Sequence, residues 1–202
     1  MGLDLERFAR LRPALVHLTA RCNAEAIVED GVLHPAAWLL RAGGRGAMVR
    51  ERCTQATVIA VGGRRVVIRD QKPLAQGAID LTDGWSFGDW VQHLREHVFF
   101  WPVRAADLSG YGRRFEGKAV ENNQVAMVFD TRELLERNRG GARVSVCNAG
   151  ALRHHPVSGR ARRGPGTLVE PDRFAGTPGT VIEVAFRGRV EIGTALRSIR
   201  SA

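Results

Sequence analysis

The chain has 202 residues, 44% of them apolar and 25% charged, with Lys+Arg exceeding Asp+Glu by 30 to 21 for a net charge of +9. That length suffices for one buried core, and the balance is that of a globular protein rather than a disordered one. No apolar run approaches the roughly 20 residues of a membrane helix, so no membrane partner is expected.

The opening MGLDLERFARLRP is charged and helix-like over residues 3–12, without the apolar core of a signal peptide; a cytoplasmic protein is the expectation. Cys22, Cys53 and Cys147 lack CxxC spacing, which argues against a disulfide framework or a zinc site. Residues 14–19 read as a strand containing His17. Residues 23–30 read as a helix capped by Asn23 and stopped by Gly31. A second short helix covers 36–41. Residues 57–69 alternate as two strands around Gly62-Gly63, a hairpin signal. Residues 89–97 read as a helix running into the buried strand HVFFWP, ended by Pro102. Another strand covers 125–129, followed by a helix over 131–139 capped by Asp130-Thr131, and a strand over 143–147. Residues 152–166, rich in arginine and glycine, read as a basic loop. A last strand covers 180–186, and the tail reads as helical. With no βα period, repeat or linker, the expectation is one α+β domain over 1–202 with a mostly antiparallel or split sheet.

Four constellations carry chemistry. His17 and Thr19 lie two apart on a strand and share a face, with Leu18 between them and Asn23 at the next helix start, where backbone N–H groups point outward. The bland reading is a core histidine and an ordinary cap. Arg50, Arg52 and Arg69 are candidates to hold a pyrophosphate bidentately, against surface pairing with Glu51 and Asp70. Phe100, in HVFFW, is a candidate wall for a flat ring, against simple burial. Glu183 is a carboxylate inside an apolar strand, costly unless partnered; Glu170 is its rival. Only Lys72 and Lys118 are lysines, and an arginine-rich surface suits phosphate. No metal-ligand spacing is present, so no metal is expected.

His17-Leu18-Thr19 with Asn23, then Ile27-Val28-Glu29-Asp30-Gly31-Val32-Leu33, resembles the opening of the DarT-type DNA ADP-ribosyltransferases, toxins with an HxTxxxN segment followed by IxxxGL. Glu183 between apolar residues, then Arg187-Gly188-Arg189-Val190, resembles their closing strand. The likeness covers about residues 14–195. The middle, with IRDQKPL, HVFFW, VFDT and VCNAG, is closer to an uncharacterised bacterial relative, and HVFFWPVRAADLSG stands where the family has its PRSPM signature. The resemblance implies an ADP-ribosyltransferase-like split antiparallel sheet with flanking helices and NAD⁺ as cosubstrate. It implies that His17 and Thr19 bind the nicotinamide-side ribose and carboxamide, that Asn23 contacts the adenosine half, that Arg50 or Arg52 matches the catalytic arginine, and that Glu183 matches the catalytic glutamate. DNA or RNA is the implied acceptor, with an antitoxin protein as a possible partner. Two other readings stay open: an RNA 2′-phosphotransferase of the same broad fold, and a basic nucleic-acid-binding module without catalysis.

Overall fold

In the computed structural model of the chain, residues 2–104, 123–150 and 159–201 are described. The element order is α1 (Leu5–Leu11), β1 (Ala14–Ala20), α2 (Arg21–Asp30), β2 (Val32–Leu33), α3 (Ala36–Ala42), β3 (Thr57–Val61), β4 (Arg64–Ile68), β5 (Ile79–Leu81), α4 (Phe87–Arg95), β6 (His97–Val103), β7 (Gln124–Asp130), α5 (Thr131–Arg137), β8 (Ala142–Ser145), β9 (Ala161–Arg163), β10 (Glu183–Arg187), β11 (Val190–Glu191) and β12 (Leu196–Ser201). Six strands form one sheet in the order β12-β7-β1-β6-β10-β8, antiparallel at every pairing. The fold is mixed α and β, as the sequence predicts at that level.

The central strand reads as a nearly continuous apolar run because both its faces are covered. Ala14, Val16 and Leu18 pack with Val103, Ala126 and Val128. Leu15 faces the main core of Phe8, Phe100, Phe129, Phe186 and Val184. The β3–β4 hairpin turns on Gly62 (φ 56°) and Gly63 (φ 77°), the two left-handed residues of a type I′ turn, and packs Ile59, Val66 and Ile68 on Ala37 and Leu40 of α3. A Ser86–Asp89 capping box starts α4, which buries Trp90, Val91 and Leu94 against Leu74, Ile79 and Ala185.

Several boundaries differ from the sequence expectation for physical reasons. Asn23 does not cap its helix: α2 begins at Arg21 with Ala20 as its cap, so Asn23 lies in the first turn and its side chain is used elsewhere. Pro102 does not end β6, which continues to Val103 opposite Ala14. The helix before β6 stops at Arg95, because His97 already pairs with Arg187. The tail is a strand, not a helix: β12 adds to the free edge of β7 from Leu196 to Ser201, and that partner outweighs local propensity. The final inner strand starts at Glu183, after a one-turn 3-10 segment at Pro178–Thr180. Of the basic loop, residues 152–158 lie outside the described residues. Within the rest, Ala161–Arg163 forms β9, parallel to β5.

One feature of the register positions the site. β7 pairs with β1 along all seven residues, Ala14 to Ala20. β6 pairs with β1 only where Trp101–Val103 faces Ala14–Val16, whereas its first half, His97–Phe100, pairs with β10. Beyond Val16 and Trp101 the two central strands therefore part. The sheet opens between residues 17–20 of β1 and 97–100 of β6.

Candidate functional site at the parting of the sheet

A cleft of about 600 Å³ occupies this opening, within the usual range for small-molecule sites. Its lining includes His17, Leu18, Thr19 and Asn23 from β1 and α2, and Arg69, Asp70 and Gln71 after β4. Arg95, His97, Phe99 and Trp101 enter from α4 and β6, and Asn148, Gly150 and Glu183 from the far side.

His17 sits at the first position past the parting. Its Nδ1 lies 2.9 Å from the carbonyl oxygen of Phe99. A carbonyl can only accept, so Nδ1 carries the proton. Burial, with a smaller push from Arg69 and against the Phe99 hydrogen bond, lowers its pKa to about 4. The ring is therefore neutral near pH 7, and Nε2 is left as an acceptor. His97 follows the same logic: Nδ1 meets the His93 carbonyl at 2.7 Å, and burial lowers its pKa to about 4.

Glu183 begins β10 opposite Ser145 and is 2% exposed. Oε2 accepts the backbone N–H of Ala149 at 2.9 Å. Burial raises its pKa to about 7, outweighing that hydrogen bond and the charge of Arg163. A buried carboxyl balanced near neutrality suits either proton transfer or stabilisation of a developing cation.

Asn23 spans two elements. Its Oδ1 accepts the Val67 N–H at 2.9 Å, its Nδ2 donates to the Val67 carbonyl at 2.8 Å, and Nδ2 also reaches Thr19 Oγ1 at 3.2 Å. The amide thus pairs with β4 as a neighbouring strand would, and it ties β4 to β1.

The arginines divide. Arg69 lines the cleft; its pKa is lowered by desolvation, against the pull of Asp70, and it forms no ion pair or hydrogen bond among the described residues. Arg50 is bound to Asp89 at 2.8 Å in the first turn of α4 and to Gln92 further along that helix. Arg52 donates to the Gln71 and Lys72 carbonyls. Neither lines the cleft, because each is held by the segment it braces. Sequence reasoning missed Arg95, which is 3% exposed and lines the cleft. Its guanidinium donates to the Met48 carbonyl, Gln71 Oε1 and Cys53 Sγ, none of them a carboxylate. A helical period places Arg95 four residues after buried Val91, which is the signal that could have found it.

Phe100 is not a wall of the cleft. It is fully buried, edge-on to Phe129 and Phe186, because alternation along β6 sends it into the main core. Phe99 and Trp101 line the opening instead. Leu18 lines the cleft but packs with Ala14 and Val16. Glu170 pairs with Arg143 at 3.1 Å and is not among the lining residues. Among the described residues no group of three or more His, Cys, Asp or Glu could hold a metal ion, and no helix is long and apolar enough to cross a membrane.

The fold and site define a mixed α and β protein whose six-stranded antiparallel sheet parts over a cleft lined by the buried carboxyl of Glu183, the neutral histidines His17 and His97, and the arginines Arg69 and Arg95, among others. The model of a family of unknown function, DUF7002, matches residues 13–192, and the chain belongs to that family. No curated protein and no solved structure matches it.

Proposed function

We propose that the cleft binds NAD⁺ and that the protein is an ADP-ribosyltransferase of the DarT-like kind, with Glu183 as its catalytic carboxylate and a nucleic acid as acceptor. The observation that carries this reading is that Glu183, His17 and Arg69, distant in sequence, line one cleft at the parting of a split sheet. An ADP-ribosyltransferase-like core is the finer fold assignment this implies.

The chemistry asked of these residues is consistent with their states. Breaking the bond between nicotinamide and ribose sends its electron pair to the leaving nicotinamide and leaves positive charge on the ribose. A carboxylate held beside the ribose hydroxyl stabilises that charge, as in glycoside cleavage. An oxygen or nitrogen of the acceptor then bonds to the ribose carbon and gives up its proton, which a carboxylate of pKa near 7 can take. Arg69 and Arg95 are cations without a carboxylate partner among the described residues, and a pyrophosphate satisfies them. The acceptor Nε2 of neutral His17 can receive a hydrogen bond from a carboxamide or hydroxyl. The +9 charge favours a polyanionic acceptor.

The test is NAD⁺ consumption and label transfer from NAD⁺ to DNA, RNA or protein. The wild type should transfer label, and Glu183→Gln should lose at least 100-fold in rate, the order expected for removing a transition-state charge partner. Absence of both reactions in the wild type, or full activity in Glu183→Gln, would overturn the proposal. Arginines and histidines sharing one cleft also suit an RNA 2′-phosphotransferase. That reading predicts activity on a 2′-phosphorylated RNA that survives Glu183→Gln and is lost in Arg69→Ala.

A further inference from the structure

The rim of the cleft carries an aromatic pair that the sequence reading did not single out. Trp38 on α3 is 45% exposed. Its ring lies on the imidazole of His34, with centroids 3.8 Å apart and planes 15° from parallel. Both residues line the cleft that holds His17, Arg69, Arg95 and Glu183. Leaving an indole this open in a folded protein forgoes a large apolar burial. His34 backs the indole, and its own turn is fixed by Pro35, the N-cap of α3. The result is a flat, pre-ordered plate at the mouth of a polar cleft.

We propose that the His34–Trp38 plate stacks the adenine ring of an adenine nucleotide bound in this cleft. The assignment rests on reading the cleft as an NAD⁺ site, and it names the residues that hold the base. Two observations bear on which part of NAD⁺ the plate takes. An adenine nucleotide carries a flat ring and phosphates in one molecule, which matches a stacking plate that shares one cleft with Arg69 and Arg95. Glu183 lies on a different wall, on β10 beside Ser145 and Ala149, whereas α3 packs on the β3–β4 hairpin. The ring whose ribose reacts belongs near the carboxylate, so the ring on the plate is the other one. Beside the plate, the exposed Asp30 carboxylate, held by Arg64 at 2.9 Å, offers an acceptor of the kind an exocyclic amino group needs.

Calorimetry with AMP and with ADP-ribose on the full chain tests this. Trp38 is exposed, so its replacement should leave the melting temperature without ligand unchanged. Trp38→Ala and Trp38→Leu should each weaken both ligands about 10-fold, the scale of a base–aromatic stack. Trp38→Phe should keep most of the affinity, because it keeps a ring while leucine keeps only apolar bulk. Equal affinity in wild type and Trp38→Leu overturns the inference, and so does a wild type that binds neither ligand. NAD⁺ consumption is scored separately. Turnover that ignores Trp38, with binding that ignores it too, removes the plate and leaves the enzyme reading standing. AMP binding that depends on Trp38 without NAD⁺ turnover keeps the plate and removes the enzyme reading.

Discussion

Glu183, Arg69 and Arg95 show how position, rather than residue type, sets what a side chain can do. The chain is rich in arginine, and sequence alone gives little reason to prefer Arg69 over Arg50 or Arg52. Arg50 is an exposed guanidinium already bonded to Asp89, and exposed pairs of this kind contribute little and bind little else. Arg69 faces the cleft without such a partner. Arg69→Ala should therefore weaken ADP-ribose binding by about 10-fold or more, on the scale of a lost charge-assisted hydrogen bond. Arg50→Ala should leave that affinity within about two-fold. Calorimetric titration of both variants separates them, and equal losses would mean that the anion is held outside this cleft.

At the scale of elements, the tie made by Asn23 matters more than its place in a motif. Its amide meets both backbone groups of Val67, and Arg69 follows two residues later on the same strand direction. Asn23→Ala leaves a part-buried N–H and carbonyl without partners, which costs about 1–3 kcal/mol. We expect a lower unfolding free energy in urea, faster hydrogen exchange at the Val67 amide, and weaker anion binding through a displaced Arg69. If exchange at Val67 stayed at its wild-type rate, Asn23 would be a ligand contact and not a tie.

Elements with a local cause were legible in the sequence: the Gly62-Gly63 hairpin, the Gly31 stop, whose φ is 70°, and the Asp130 cap, whose side chain accepts the Glu133 N–H. Those set by a distant partner were not. β12 is a strand only because β7 offers an edge. β9 is a strand only because β5 lies beside it. The site divides in the same way. His17, Thr19, Asn23, Arg69 and Glu183 are named by sequence and do line the cleft. Arg95 keeps the helical period of buried Val91, but its place in the cleft, like that of the His34–Trp38 plate, depends on packing between α3, α4 and the hairpin. Phe100 was misplaced by one residue of strand alternation, enough to move a side chain from one face to the other.

At the scale of the whole molecule, the opening in the sheet makes its stability depend on pH in two opposing ways. His17 and His97 are each lowered from 6.5 to about 4. They are neutral in the fold and charge more readily once unfolded, so their contribution is full above about pH 6.5 and is lost as pH falls toward 4. Glu183 is raised from 4.5 to about 7. Its contribution is full below about pH 4.5 and is lost as pH rises through 7, because the unfolded carboxyl ionises first. Between those limits two histidines oppose one carboxyl, and these three groups together should make stability rise with pH. Glu183→Gln removes the opposing slope and keeps the shape of the side chain. The variant should therefore gain on the wild type steadily from pH 4.5 to 7, by up to about 3 kcal/mol, and hold that advantage at pH 8. Urea unfolding of both proteins at pH 4.5, 6 and 8 measures the gap. A gap that does not change with pH would mean that Glu183 titrates as an ordinary carboxyl, and the catalytic role proposed for it would lose its desolvated, near-neutral acid.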